Sequence, residues 1–65
     1  MERIKAYRQA HGMTQREFGK RLGGTQGAVS HWEKGEQISL KHLPKVAIML
    51  NVPIAELIHE QLRAA

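Results

Sequence analysis

Cysteine and aspartate are both missing from this sequence. Without cysteine the chain forms no disulfide and no thiolate metal site, which suits a cytoplasmic protein. Without aspartate, a Ser-His-Asp arrangement has no third member. The four histidines, His11, His31, His42 and His59, follow one another at intervals of 20, 11 and 17 residues. None of these intervals is the i, i+3 or i+4 spacing that puts two ligands on one helix face. The six glycines build neither G-x-G-x-x-G nor a P-loop. No apolar run approaches the roughly 18 residues of a spanning helix. Met1-Glu2-Arg3-Ile4-Lys5 lacks the apolar region of a signal peptide. No stretch alternates with period two for long enough to be a strand, and there is no internal repeat. These absences argue against an enzyme, a bound metal, a cofactor, a membrane protein or a small-molecule binder.

What is present is basic, and unevenly so. The chain of 65 residues is expected to form one domain, 1–65, near the lower end of what folds alone. Ten Lys and Arg against six Glu give a net charge of +4. Residues 1–45 hold nine of the basic side chains and four of the acidic ones, a net +5, whereas 46–65 hold Arg63 against Glu56 and Glu60, a net −1. A basic body with a near-neutral apolar tail fits nucleic acid on one side and another protein on the other. Charge alone fits an ordinary solvated surface equally well.

The spacing of apolar residues predicts an all-α fold of five helices. In the first, over 2–11, Ile4, Tyr7 and His11 share a face, Gly12 supplies the stop, and Met13 turns into the core. Thr14 followed by Glu17 is a capping box, and Phe18 and Leu22 form the apolar face of a second helix. Gly23-Gly24 interrupts it, because glycine enters the left-handed region freely. Thr25 is a second N-cap, Ala28, Val29 and Trp32 make the buried stripe of a third helix over 25–33, and Gly35 ends it. Two helices at a short glycine turn are a helix-turn-helix, here 14–33. After a polar loop at 34–37, Leu40, Leu43, Val46, Ala47 and Leu50 fit a fourth helix. Pro44 lacks an N–H, so Ser39 is expected to cap a preliminary turn and the regular helix to begin near His42. Asn51 suits a left-handed stop and Pro53 the first position of a fifth helix. There Ile54, Leu57, Ile58 and Leu62 recur at helical spacing, with Val52 and Leu57 expected to face inward.

These residues resemble the Cro and repressor-type helix-turn-helix proteins of temperate phages and their bacterial relatives. The resemblance runs from about Ile4 to about Ile58. It rests on Gly12-Met13-Thr14-Gln15, on Thr25-Gln26, Val29-Ser30, Trp32-Glu33 and Gly35, and on the tail from Leu43 to Leu57. The helical tail separates the chain from the Cro branch that ends in strands. It departs from the pattern at Gly19, usually Ala, at Gly24, usually Val or Ile, and at Gly27 inside the third helix. An interior helical glycine costs about 0.5–1 kcal/mol relative to Ala, so these departures are expected to lower stability rather than change the fold.

The resemblance implies a compact five-helix repressor-like domain that binds a double-stranded DNA operator and regulates transcription. A helix in the major groove presents its exposed side chains to base edges. The third helix would offer Gln26, Gly27, Ser30 and His31. Gln26 matches a position where the family commonly places a base-reading Gln, and it can pair with adenine N6 and N7. Gly27 would permit close backbone approach. By the same resemblance Gln15 lies against a phosphate and braces the first reading residue. Arg16, Thr25, Lys34, Lys41, His42 and Lys45 are candidates for the DNA backbone. Arg8 and Glu33 match a family pair that ties the first helix to the end of the recognition helix. Trp32, in helical register with Val29, is expected in the core rather than as a stacking platform.

One recognition helix covers only a few base pairs. A homodimer reading two half-sites about 34–36 Å apart is therefore expected. The region 51–65 would supply its interface, with Pro53, Ala55, Glu56 and Ile58 near the axis. A domain standing almost alone is expected to be closer to Cro than to a repressor with a second domain, and an antitoxin-type regulator is a near relative of that reading. If encoded by a phage or prophage, it would act in the bacterial cytoplasm. A different class is a protein-interaction module whose helix-turn-helix no longer meets DNA. The apolar tail and Gly27 favour that class, while the basic body and Gln26 oppose it. An interfacial membrane helix over 53–65 would carry one basic residue against two acids, the wrong balance for anionic lipid.

Overall fold

The computed structural model describes residues 1–64. Its helices are α1 Glu2–Ala10, α2 Gln15–Arg21, α3 Gln26–Glu33, α4 Leu43–Leu50 and α5 Ile54–Ala64. Among the described residues there is no strand. Every helix sends at least one side chain to a common core: Ile4 from α1, Phe18 from α2, Val29 and Trp32 from α3, Leu43, Val46 and Ala47 from α4, and Leu57 from α5. Met13, Leu22 and Ile38 fill it from the links. Each fully buried aliphatic or aromatic side chain contributes about 1.5–3 kcal/mol by leaving water, and that burial fixes how the short helices meet.

The local signals act as chemistry requires. The Thr14 side chain accepts from the Glu17 N–H at 3.1 Å, and the Thr14 N–H donates to the Glu17 carboxylate at 3.3 Å. The Thr25 hydroxyl accepts from the Ala28 N–H at 3.1 Å and starts α3. The Ser39 carbonyl accepts from His42 and Leu43, each at 3.0 Å, forming the preliminary turn that lets Pro44 enter the first turn of α4, where no N–H is needed. Asn51 ends α4 at φ 57° and ψ 47°.

Several expectations are corrected. The first helix ends at Ala10 rather than at residue 11; His11 is its exposed C-cap and keeps to the Tyr7 side, stacked on that ring at 4.0 Å. Leu40 lies in the turn before Pro44 and is 82% exposed, because the helical period does not run through that turn. Leu50 is only half-buried. The fifth helix starts at Ile54, one residue later than expected, with the Pro53 carbonyl accepting from Glu56 at 3.0 Å. As expected, Leu57 is buried and Val52 half-buried, while Ile54, Ile58 and Leu62 remain exposed.

The tail is fastened by polar contacts. Arg3 of α1 reaches Glu56 at 2.7 Å and Glu60 at 3.3 Å. Gln61 brackets the backbone of Ile38, its oxygen accepting from the N–H and its amide donating to the carbonyl at 3.4 Å.

The turn between α2 and α3 depends on two glycines. Gly23 has φ +72°, a conformation that L side chains rarely adopt. Gly19 is a matter of space. A Cβ there would stand 2.7 Å from the Thr25 carbonyl oxygen and 2.9 Å from its carbon. The expectation that Gly19 simply costs stability is therefore overturned: its missing methyl lets the start of α3 pack onto α2. Gly27 is different, with only the Thr25 hydroxyl 3.8 Å from an added Cβ. The two alanine substitutions should diverge in urea unfolding. Gly27→Ala should stabilise by about 0.5–1 kcal/mol. Gly19→Ala should destabilise by about 1–3 kcal/mol through overpacking. Two changes of the same sign would contradict this reading of the turn.

Candidate nucleic-acid interface

α3 has two sides. Val29 and Trp32 are buried and Ala28 packs against the core, so Gln26, Gly27 and His31 are left exposed with Ser30 half-exposed beside them. All four residues expected to read bases thus share the outward side of one helix, one turn apart. α2 crosses behind it, and a cleft between the two is lined by Arg16, Lys20, Gly24, Thr25 and Gln26. Two cations on successive turns of α2 therefore flank the N-terminus of α3. The Lys45 ammonium lies over the turn itself, 3.8 Å from where a Cβ on Gly23 would be.

A polar network holds α3 in place. Arg8 donates to Glu33 through Nε at 2.8 Å and through its second terminal nitrogen at 3.1 Å, a fork-on-fork pair. The remaining terminal nitrogen of Arg8 donates to the Met13 carbonyl at 3.1 Å. Gln15 donates its side-chain amide to Glu33 at 3.1 Å. One carboxylate at the last residue of α3 thus receives α1, α2 and, through Arg8, the link between them. Its side chain is only 7% exposed and that of Arg8 15%, so water competes little for the bonds. The Arg8 hydrogen bond, supported by Gln15 and by the charges of Arg8 and Lys5, holds the Glu33 carboxyl below the usual carboxylate range against the opposing effect of burial. The same hydrogen bond raises Arg8, and burial opposes it.

The other named residues fall in two groups. Arg16 on α2, Thr25 and Lys34 at the two caps of α3, and Lys41 in the turn before α4 are all exposed. His42 is half-buried: it tilts against Trp32 with centroids 5.3 Å apart, pairs with the Ser39 hydroxyl at 3.0 Å, and closes over Gly24. Gln15 is half-buried and donates its side-chain amide to Glu33. At the tail, Pro53 and Ala55 are exposed and Ile58 is partly covered, while Glu56 is engaged by Arg3 of its own chain. Two residues escaped the sequence reading. Lys20 shares the cleft with Arg16, and the i, i+4 spacing of those two cations was its available signal. Glu36 meets His31, a contact made by the loop that follows the helix and by no periodic pattern.

Among the described residues no group of three or more His, Cys, Asp or Glu could hold a metal ion, and no helix is long and apolar enough to cross a membrane.

Two capped helices meeting at a glycine turn, the second exposing a polar side flanked by cations, define a helix-turn-helix DNA-binding domain. The family model described as Helix-turn-helix, of the Cro/repressor type, matches residues 4–57, and the chain belongs to that family. Searches of curated proteins and of solved structures give no match to it. Membership makes the protein a DNA-binding helix-turn-helix regulator.

Proposed function

We propose that the protein is a sequence-specific transcriptional regulator of the Cro type that reads the major groove of an operator with α3. The observation that carries this reading is the outward side of α3. It offers Gln26, Gly27, Ser30 and His31 together, beside Arg16 and Lys20. Gln26 stands in the first turn of α3, the end that enters the groove first, and its amide can pair bidentately with adenine. Two or three of Arg16, Thr25, Lys34, Lys41, His42 and Lys45, with Lys20 added to the candidates, serve the DNA backbone on either side. Gln15 lies against a phosphate and braces the first reading residue.

A second copy of the chain completes the reading unit, since one α3 spans too few base pairs to mark a site. The exposed apolar side of the tail supports pairing there: Ile58 and Leu62 border a shallow groove shared with Leu40 and Leu43. Pro53, Ala55 and Ile58 remain the residues nearest the proposed axis, with Glu56 holding Arg3 at its edge.

Selection from a random duplex library tests site and spacing together. The expected product is an inverted repeat whose half-sites are separated by about one helical turn, 34–36 Å. Gln26→Ala should lose the preference at one position in each half-site, at a cost of about 1–3 kcal/mol. Selected sites without repeat symmetry would remove the dimer. An unchanged preference in a folded variant would remove Gln26 from the reading set.

A further inference from the structure

His31 lies near the end of α3 on its outward side, and its Nδ1 meets Oε2 of Glu36. The Glu36 N–H donates to the His31 carbonyl at 3.0 Å, so the backbone keeps residue 36 within side-chain reach of the ring. An ionised carboxylate only accepts hydrogen bonds. The imidazole hydrogen must therefore be on Nδ1. In the neutral ring this leaves Nε2, on the opposite edge, with a lone pair and no hydrogen. Free histidine favours the other tautomer, so the choice is imposed by Glu36.

The position of this acid is otherwise unfavourable. An exposed carboxylate on the side of the molecule that carries the reading residues repels phosphate and weakens attraction to any duplex. A gain in selectivity would account for its presence there.

We infer that Glu36 is a specificity-determining residue that acts through His31. By holding the Nδ1–H tautomer it makes Nε2 an acceptor. In the major groove an acceptor suits the exocyclic amino group of adenine N6 or cytosine N4, whereas guanine N7 and O6 are both acceptors and would be rejected. Glu36 thus decides which bases His31 can accept, as a positioning residue that need not touch DNA. This inference rests on the reading of α3 as the recognition helix.

The test has two arms, run on the full chain and at a pH where the nitrogen shifts of the ring report it neutral. The side chains of His31 and Glu36 are 60% and 62% exposed, so replacing either leaves no core cavity. In the first arm, long-range nitrogen–proton NMR of the free protein should find hydrogen on Nδ1 and a bare Nε2. Glu36→Gln should return the ring to the Nε2–H form, since an amide can present either a donor or an acceptor. Hydrogen on Nε2 in the unaltered protein overturns the proposal, whatever DNA it binds. In the second arm, duplex selection should find an amino-bearing base favoured about threefold to tenfold over guanine at one position per half-site, the worth of one hydrogen bond. Glu36→Gln should erase that preference while tightening binding to all duplexes. A preference that survives Glu36→Gln overturns the role of Glu36. If His31→Ala alters no position, His31 does not read bases and the proposal falls with it. The NMR result then tells whether the tautomer or the DNA reading was the faulty premise.

Discussion

Trp32→Ala is expected to leave a chain that barely holds its fold at room temperature. Trp32 is 4% exposed and sits on the buried side of α3, with His42 packed over it at 5.3 Å. Removing so large a side chain costs about 3–5 kcal/mol in lost transfer and residual cavity. At 0.05–0.15 kcal/mol per residue, a domain of this size is stable by about 3–10 kcal/mol. The loss is therefore comparable with the whole. The His42 ring would also lose the surface that keeps it over Gly24, which couples the core defect to the helix-turn-helix. Thermal unfolding followed by circular dichroism should find the midpoint collapsed or the transition absent. A cooperative transition close to that of the unaltered protein would mean that Trp32 does not occupy the core.

The second large effect is expected at Glu33. Glu33→Gln removes the charge that receives Arg8 and Gln15 and leaves the Arg8 guanidinium, 15% exposed, without its counter-charge. Hydrogen bonds to charged groups are worth about 1.5–3 kcal/mol, and a loss in that range is expected at neutral pH. The dependence on acid gives a sharper check. The Arg8 hydrogen bond lowers the folded-state pKa of Glu33 below its value in the unfolded chain. The stabilisation is therefore complete above the ordinary carboxylate range, near about 4.3, and is lost as pH falls through the lowered folded value. Urea midpoints of the unaltered protein and of Glu33→Gln should differ at neutral pH and converge in acid. A gap that persists unchanged into strong acid would show that the carboxylate charge is not what matters. Because Glu33 ends α3, the same variant should blur base discrimination as the helix loses its fixed angle.

Much of this architecture was readable from side chains that act locally. Thr14 with Glu17, Thr25, Asn51 and the glycine turn are short-range signals, and each does in the fold what its chemistry requires. The outward side of α3 followed from the burial of Val29 and Trp32, since whatever lies opposite a buried stripe is exposed. The Arg8–Glu33 pair joins residues 25 apart in sequence, and only the resemblance to the family brought them together. What escaped notice depends on tertiary approach. Gly19 looks like a weak helix residue until the Thr25 carbonyl is seen to stand where its Cβ would be. Arg3 bonds to Glu56 across 53 residues, and no periodicity within α5 announces it. Leu40 fits the apolar stripe by spacing alone, yet it lies in the turn before Pro44, which periodicity cannot register. Glu36 lies in a loop, where spacing carries no facing information.

On the proposed function, the cations flanking α3 engage duplex phosphates while its outward side reads bases. Titration of a selected operator duplex across a range of salt concentrations tests it most directly. Binding by two copies with two or three phosphate contacts each predicts that log K falls linearly with log salt, at a slope between about −3.5 and −5.5. The slope should fall in magnitude by roughly two when Lys34→Ala removes one such contact from each copy. A slope near zero, or no preference for the operator over unrelated duplex at any salt concentration, would contradict it.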